Sequence, residues 1–188
     1  MKPFILASAS PRRRDLLAQI GLNPSQIIPA DILEDPIDGE LPRAHALRLA
    51  CEKAQKVSDL YRGHIILASD TVVGVGRRIL PKTETRDEAE SCLRLLSGRS
   101  HRVFTGVAVI DENGNLRSRI SETRLKMKSL SEAEISAYLD SGEWDGKAGG
   151  YGIQGLAGAF IHHISGSYTG VVGLPVYETR NLLLAACV

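Results

Sequence analysis

Apolar residues recur along the chain in two patterns, short continuous runs and stripes at helical spacing. The continuous runs at 4–7 and 64–69 are typical of buried β-strands. Further strands are predicted at 26–29, 101–110, 116–127 and 156–164. Stripes predict helices at 11–20 and 42–60, two more after residues 85 and 131, and a last one from Pro175. Strands interleaved with helices predict an α/β fold.

Local signals set several helix boundaries. Ser10-Pro11 is an N-cap followed by proline at the first helical position. Thr85–Glu88 and Ser131–Glu134 are capping-box patterns, in which a hydroxyl and a carboxylate bond to the first backbone N–H groups. Ser97-Gly98 is a helix-ending pair. These boundaries depend only on neighbours in the chain.

The helix at 42–60 is predicted to bury one apolar stripe. Its members recur at i, i+3 and i+4 spacing and are Leu47, Ala50, Cys51, Ala54 and Val57. Lys53 flanks this stripe, so the pattern places it on the solvated face unless a cleft lies alongside.

The run at 64–69 is predicted to end at Asp70-Thr71. A glycine-assisted hairpin at 72–80 then returns the chain to Lys82. A carboxylate at the end of a buried strand is well placed for catalysis or cation binding in an α/β sheet. A simple turn cap is the alternative, and the return of Lys82 favours the functional interpretation.

Composition narrows the class of protein. The chain has 188 residues, 43% of them hydrophobic, which suits one domain, 1–188, with a sizeable core. The formal net charge of +1 provides no global field for nucleic acid or a membrane. Three sparse cysteines support no zinc site and indicate a reducing compartment. No apolar run approaches the ~20 residues of a membrane helix, so a cytoplasmic location is expected.

The segment from Ser8 to Arg13 is a candidate anion site. It joins a strand to a helix N-terminus through small residues, and free N–H groups at such a turn bind anions. Arg12, Arg13 and Arg14 are unexpected there, because the helix dipole disfavours cations by roughly 0.3–1 kcal/mol. A bound polyanion would offset that cost, whereas the alternative is a solvated basic face.

Two other loops carry candidate chemistry. The acidic loop at 31–40 is either solvated or presents one or two carboxylates to a cation. The stretch 144–155 is rich in glycine, which permits close approach of the backbone to a ligand. Tyr151 and Gln154 within it indicate base reading, by stacking and by a two-sided amide. His162 and His163 have no third ligand at metal spacing.

Cationic residues, two acidic positions and a glycine-rich loop together suit a nucleoside triphosphate held with a divalent cation. Arginine and lysine bind phosphate oxygens, and carboxylates hold Mg²⁺ or activate water.

Five segments resemble the Maf family in order along nearly the whole chain. They are Ser8-Ala9-Ser10-Pro11-Arg12-Arg13, Ala68-Ser69-Asp70-Thr71-Val72-Val73, Lys82, the 148–155 loop Ala-Gly-Gly-Tyr-Gly-Ile-Gln-Gly, and 166–175. The resemblance implies a homodimeric, metal-dependent nucleoside triphosphate pyrophosphatase. It also implies a mixed, elongated, twisted sheet flanked by helices, with two lobes around a central cleft, as in inosine triphosphatases. The Tyr-Gly-Ile-Gln-Gly loop is similar to the branch acting on dTTP and UTP.

The resemblance also implies residue roles. Asp70 is the proton acceptor and shares a divalent cation, Mg²⁺ or Mn²⁺, with Glu34. Base specificity is assigned to Arg12, Thr71 and Gln154. Phosphate contacts are assigned to Ser8, Arg13, Lys53 and Lys82. Asp31 and Asp35 are alternatives to Glu34 as the second cation ligand. Arg14 is a third arginine that the family motif does not include, and no role is assigned to it.

Two other functions stay open at this stage. The basic helix start and the polar face of the long strand at 116–127 are compatible with a non-catalytic nucleotide or nucleic-acid binding regulator of septum formation. The same pyrophosphatase chemistry on purine nucleotides, such as 7-methyl-GTP or ITP, is the second alternative. Nucleic acid is not expected as a partner, because no aromatic residues interleave with the basic positions of that strand.

Overall fold

A mixed β-sheet forms the centre of the protein. The structure is a computed structural model that describes residues 2–187. The strands are β1 (Phe4–Leu6), β2 (Gln26–Ile27), β3 (Ile65–Val75), β4 (Arg78–Leu80), β5 (Lys82–Thr83), β6 (Ser100–Ile110), β7 (Leu116–Met127), β8 (Lys147–Ala148) and β9 (Ile161–Ser165). Seven of them form one sheet in the order β2-β1-β3-β6-β7-β9, with β4 also paired to β3. Strand β1 is parallel to its neighbours, and β5 and β8 form a separate antiparallel ladder.

Helices cover both faces of this sheet. They are α1 (Pro11–Gln19), α2 (Pro42–Leu60), α3 (Arg86–Leu96), α4 (Glu132–Asp140), α5 (Tyr168–Val172) and α6 (Val176–Ala186). Helix α2 packs on one face, where its small residues meet Ile66, Ala68 and Ala108. The larger core on the other face takes apolar side chains from the remaining helices. The predicted α/β class and the mixed sheet flanked by helices are confirmed. No helix within residues 2–187 is both long and apolar enough to cross a bilayer.

Most predicted elements are confirmed, because their signals are local. Both capping boxes form, and α2 and β7 have the predicted bounds. Ser10 is the N-cap residue of α1, but its side chain makes no capping hydrogen bond. Cys92 is buried as predicted and Cys51 only partly so, and both thiols are free.

The predicted strand at 156–164 is wrong in its first half. Residues 156–160 form a 3-10 helix, and β9 begins only at Ile161. Ala157 and Phe160 are the buried residues there, and a spacing of three suits a 3-10 turn rather than a strand. The glycine-punctuated segment after residue 166 likewise contains a short helix, α5, which the pattern did not predict.

The prediction that the strand ends at Asp70 is also wrong. Strand β3 runs on through Asp70 to Val75, because β6 pairs with it from Ile66 to Gly74. The ladder satisfies the backbone at Asp70, while its side chain faces α2. The predicted hairpin after it does form, between β3 and β4.

The prediction that Lys53 belongs to a solvated face is corrected by the packing of α2. Lys53 is 6% exposed, whereas Leu47 of the predicted stripe is only half-buried. Ala50, Ala54 and Val57 of the predicted stripe are buried, and a second buried row contains His45, Leu49 and Lys53, four residues apart. Close approach of α2 to the sheet allows this, because a Cβ on Gly106 would lie 2.4 Å from the Ala46 carbonyl oxygen. The helix is therefore seated where only glycine fits beneath it.

Candidate active site

A cleft of about 820 Å³ opens at a gap beside β3. Strand β1 pairs with residues 65–67 of β3 and β4 pairs with 73–75, while β6 occupies the opposite edge. The intervening part of β3 therefore has no strand neighbour on the cleft side. Asp70 and Thr71 lie in this gap and line the cleft. All nine site residues predicted from the sequence line it: Ser8, Arg12, Arg13, Glu34, Lys53, Asp70, Thr71, Lys82 and Gln154.

The turn between β1 and α1 is held by Ser8 and Arg13. Ser8 Oγ accepts hydrogen bonds from the Ser10 N–H at 3.2 Å and from Arg13 Nη1 at 3.0 Å. Arg13 Nε donates to the carbonyl oxygen of Gly173 at 2.9 Å. Burial lowers the pKa of Arg13, and the negative charge of Asp70 opposes that shift. Arg13 Nη2 has no partner within residues 2–187, so one edge of the guanidinium remains available to a ligand.

Four charged side chains on the α2 side of the cleft pair with one another, and we call them the paired wall: Glu34, Lys53, Asp70 and Lys82. Lys53 Nζ lies 2.6 Å from Asp70 Oδ1 and 2.6 Å from Glu34 Oε1. Lys82 Nζ lies 3.1 Å from Glu34 Oε2. Burial acts to raise the pKa of Glu34, but the hydrogen bonds and charges of Lys53 and Lys82 outweigh it and lower the value to about 2. The acidic loop thus places Glu34, not Asp31 or Asp35, against the cations.

The acidic loop is fixed to α2 by Glu40. Its carboxylate accepts two hydrogen bonds from Arg48, both at 2.8 Å, and lies 2.8 Å from His45 Nδ1. Arg48 also donates to the backbone carbonyl of Asp35 at 3.1 Å. The pKa of Glu40 is lowered to about 2, chiefly by the Arg48 hydrogen bonds. This cluster holds the loop over the cleft, next to the position of Glu34.

Thr71 faces the other side of β3 from Asp70, because successive strand residues alternate. Its hydroxyl lies 3.2 Å from that of Thr105, and its Oγ1 is close to Gly173. Thr71 therefore borders the part of the cleft formed by Arg13 and the end of α5.

Three other polar side chains that line the cleft are unlike the paired wall, and we call them the unpaired wall: Arg12, Lys147 and Gln154. Within residues 2–187, Arg12 and the Gln154 amide make no side-chain hydrogen bond, and Arg12 makes no ion pair. Lys147 Nζ has one long contact, 3.4 Å to the Asp145 carbonyl oxygen. Burial lowers the pKa of Arg12. Burial and then the charge of Arg12 lower the pKa of Lys147. Two cations thus lie near each other without a carboxylate partner.

Tyr151 does not present its ring as an exposed stacking surface, which corrects the interpretation from the sequence. It is 5% exposed, its hydroxyl lies 2.6 Å from His101 Nε2, and the two rings meet edge to face. Its role is to anchor the glycine-rich loop to β6. Tyr138 adds a second anchor, since its hydroxyl accepts the Gly152 N–H at 3.2 Å.

The fit of a divalent cation rests on Asp70 and Glu34. No group of three or more His, Cys, Asp or Glu side chains suited to a metal occurs between residues 2 and 187. Two carboxylates close together in a cationic cleft are nevertheless the donor set with which proteins hold Mg²⁺ on a phosphate substrate. Glu34 Oε1 and Asp70 Oδ1 both pair with the ammonium of Lys53, and Asp70 Oδ2 has no partner in the described part of the chain. The residues fit a cation that shares its ligands with bound phosphate.

Several site residues were missed at the sequence level. Lys147 lies in the predicted glycine-rich stretch, where a lysine among small residues was the available signal. His45, Glu40 and Arg48 come together only when the acidic loop folds back on α2. Their spacing along the chain does not indicate this contact.

A mixed α/β sheet with a cationic cleft that also contains two carboxylates defines a protein suited to binding a polyanion. Comparison with known proteins gives the family. Residues 3–186 match the family described as Maf-like protein, and the chain belongs to that family. A dTTP/UTP pyrophosphatase from Caulobacter vibrioides is 59% identical over 180 residues, which are 96% of this chain and 93% of that relative. A dTTP/UTP pyrophosphatase from Novosphingobium aromaticivorans is 57% identical over 97% of this chain and 91% of its own.

Two solved structures show weaker likeness. A HAM1 protein from Coxiella burnetii has a TM-score of 0.45 at 19% identity, over 68% of this chain and 73% of its own. A nucleoside-triphosphatase / dITP/XTP pyrophosphatase from Mycobacterium abscessus has a TM-score of 0.47 at 14% identity, over 99% and 94%. Both TM-scores lie below 0.5.

Proposed function

We propose that the chain is a metal-dependent nucleoside triphosphate pyrophosphatase that hydrolyses dTTP and UTP to the monophosphate and pyrophosphate. The observation that carries the proposal is the convergence of two carboxylates with cations from four separate segments in one cleft. The names of the relatives, at 59% and 57% identity, supply the two nucleotides. Modified pyrimidine nucleotides fall within the same proposal, as does a role in cleaning the nucleotide pool.

The phosphates bind between the Ser8–Arg13 turn and the lysines. Arg13 offers a free guanidinium edge, and the first N–H groups of α1 point out of a helix N-terminus. Ser8 holds Arg13 in place, and its hydroxyl lies within the same turn. Lys82 is exposed at the cleft, so it can leave Glu34 and reach the β and γ phosphates.

Asp70 accepts the proton of the attacking water. The water oxygen forms a bond to the α-phosphorus while the bond from that phosphorus to the bridging oxygen breaks. Pyrophosphate leaves with the electron pair, and its charge is balanced by the arginines and lysines. Lys53 fixes Oδ1 of Asp70, which leaves Oδ2 to face the water. Mg²⁺ or Mn²⁺, held by Asp70 and Glu34 with phosphate oxygens, would neutralise further charge on the triphosphate when bound.

A panel of nucleoside triphosphates with Mg²⁺ and identified products tests the proposal. We expect UTP and dTTP to yield monophosphate and pyrophosphate, with purine nucleotides, including 7-methyl-GTP and ITP, far behind. Asp70→Asn should lose about 10²- to 10⁴-fold in turnover while retaining nucleotide binding. A preference for purines contradicts the base assignment. Stoichiometric binding without release of monophosphate favours a regulator, and release of inorganic phosphate contradicts the reaction.

We further propose a homodimer located in the cytoplasm. The support is the resemblance to the Maf family and the small number of unpaired cysteines. Light scattering after gel filtration should give twice the mass of one chain, and a single-chain mass at micromolar concentration contradicts the dimer.

A further inference from the structure

The side chain of Lys147 lies next to that of Gln154. It leaves the β5–β8 ladder on the face opposite to Lys82. Thr83 pairs with Lys147 and Lys82 pairs with Ala148 in the β5–β8 ladder. Residues directly opposite share a face and neighbours alternate, so the two lysines leave opposite faces. A Cβ on Gly152 would lie 2.9 Å from Gln154 Nε2 and 3.0 Å from Lys147 Cε. Both side chains therefore border the same point of the cleft, away from Lys82 and Glu34.

The local structure holds Lys147 in place without neutralising it. Its backbone carbonyl accepts hydrogen bonds from Thr83 Oγ1 at 3.2 Å and from the Gly150 N–H at 3.0 Å. Within residues 2–187 no carboxylate lies within 4.0 Å of its ammonium, and Arg12 is a nearby like charge. Lys147 is half-buried, so its methylene groups pack while the ammonium retains its donors. An acceptor supplied by a ligand would satisfy it.

Gln154 alone cannot separate uracil from cytosine. Its amide carries both a donor and an acceptor and can rotate to match either base edge. An ammonium has donors only, so it requires an acceptor at a fixed place. Position 4 is where the bases differ, since thymine and uracil carry a carbonyl oxygen there and cytosine an amino donor.

We propose that Lys147 donates a hydrogen bond to the 4-carbonyl oxygen of a bound uracil or thymine, beside Gln154 at N3, and so excludes cytosine. This inference rests on the proposed function. It adds a specificity-determining residue to the base end of the cleft, distinct from the phosphate-contacting lysines of the paired wall.

The test compares kcat/KM for UTP, dTTP and CTP in the wild type and in Lys147→Met, which keeps the length of the side chain. We expect UTP and dTTP to fall by about 10- to 100-fold, the size of a lost charge-assisted hydrogen bond. CTP should change by less than about threefold or improve, because its amino group loses a repelling neighbour. Lys126→Met, at an exposed position of β7, is the matched control and should leave all three values unchanged.

Substrate analogues test the same contact in the unaltered protein, whatever the stability of the variant. Sulfur is a weak acceptor, so 4-thio-UTP should be hydrolysed less efficiently than UTP, while 2-thio-UTP should match UTP. The 4-thio penalty should vanish in Lys147→Met.

Four results overturn the inference. An equal fall in kcat/KM for UTP and CTP would mean that Lys147 contacts the triphosphate or the ribose, which the two nucleotides share. Unchanged kcat/KM values in Lys147→Met would contradict the contact at position 4. A lower kcat/KM for 2-thio-UTP alone would contradict it as well. If the wild type hydrolyses no pyrimidine nucleotide, the proposed function fails and the inference fails with it.

Discussion

The two walls of the cleft carry charge in opposite ways. In the paired wall, every charged group has a partner, and Lys53 alone joins two carboxylates at 2.6 Å each. In the unpaired wall, Arg12 and Lys147 face the cleft with no carboxylate partner among the described residues. The first arrangement is part of the folded structure, and the second leaves its hydrogen-bond donors to a ligand.

This difference indicates which substitutions should affect both stability and turnover and which should affect turnover alone. Lys53 and Asp70 are each 6% exposed, so removing the charge of Lys53 leaves a buried carboxylate without its ion-pair partner. Arg12 and Lys147 of the unpaired wall make no ion pair within residues 2–187, so their substitution breaks none there. Substitutions in the paired wall should therefore weaken folding and turnover together, whereas those in the unpaired wall should weaken turnover alone.

Lys53→Met is expected to have the largest effect. It leaves Asp70 buried beside Glu34 without its ion-pair partner, and breaking a buried pair of this kind costs about 3–5 kcal/mol. Urea unfolding should show that loss, and hydrolysis of UTP should fall too. Adding Asp70→Asn should restore part of the stability and none of the turnover. Lys56→Met, exposed on the same helix, is the control. Equal stability of Lys53→Met and the wild type would falsify the importance of the pairing.

Gly106→Ala should move the paired wall as a unit. The new Cβ would meet the Ala46 carbonyl oxygen at 2.4 Å, a backbone atom that cannot turn aside. Overpacking of this kind costs about 1–3 kcal/mol. Because α2 carries Lys53, its displacement should also reduce turnover. A variant that keeps both the wild-type melting temperature and the wild-type turnover contradicts the close seating of α2.

Arg12→Met, on the unpaired wall, should lower turnover without lowering stability. We expect kcat/KM for UTP to fall by about tenfold or more, through loss of a charged donor. The free energy of unfolding should stay within about 0.5 kcal/mol, because no ion pair is broken. Arg14→Met, two residues on and exposed, is the matched control and should change neither quantity. A loss of stability in Arg12→Met without loss of turnover reverses the assignment.

The smallest effect concerns pH and Glu34. Its pKa is lowered to about 2 in the folded protein, so the ionised group contributes stability above its unfolded value of 4.5. That contribution is lost as pH falls from about 4.5 towards 2. The difference in unfolding free energy between the wild type and Glu34→Gln should thus be constant near pH 7 and shrink through that range. A difference that does not change with pH argues against the contact with Lys53 and Lys82.

Much of the fold could be predicted from local patterns. Proline at the start of α1, the two capping boxes and the alternation of β7 each act through neighbours in the chain, and each predicted element formed. The 3-10 helix at 156–160 could not be predicted that way, because a short apolar run suits a strand equally well.

The site was predicted in composition but not in arrangement. The sequence by itself determined which residue types the cleft contains and, by resemblance, which segments supply them. Only the tertiary structure decided that Asp70 lies inside a continuous strand, that Lys53 is buried against it and that Lys147 has no carboxylate partner among residues 2–187. The physical reason is that the environment of a charge depends on groups from distant segments. Local spacing specifies helices and strands, whereas the packing of α2, β3 and the loops specifies which charges meet.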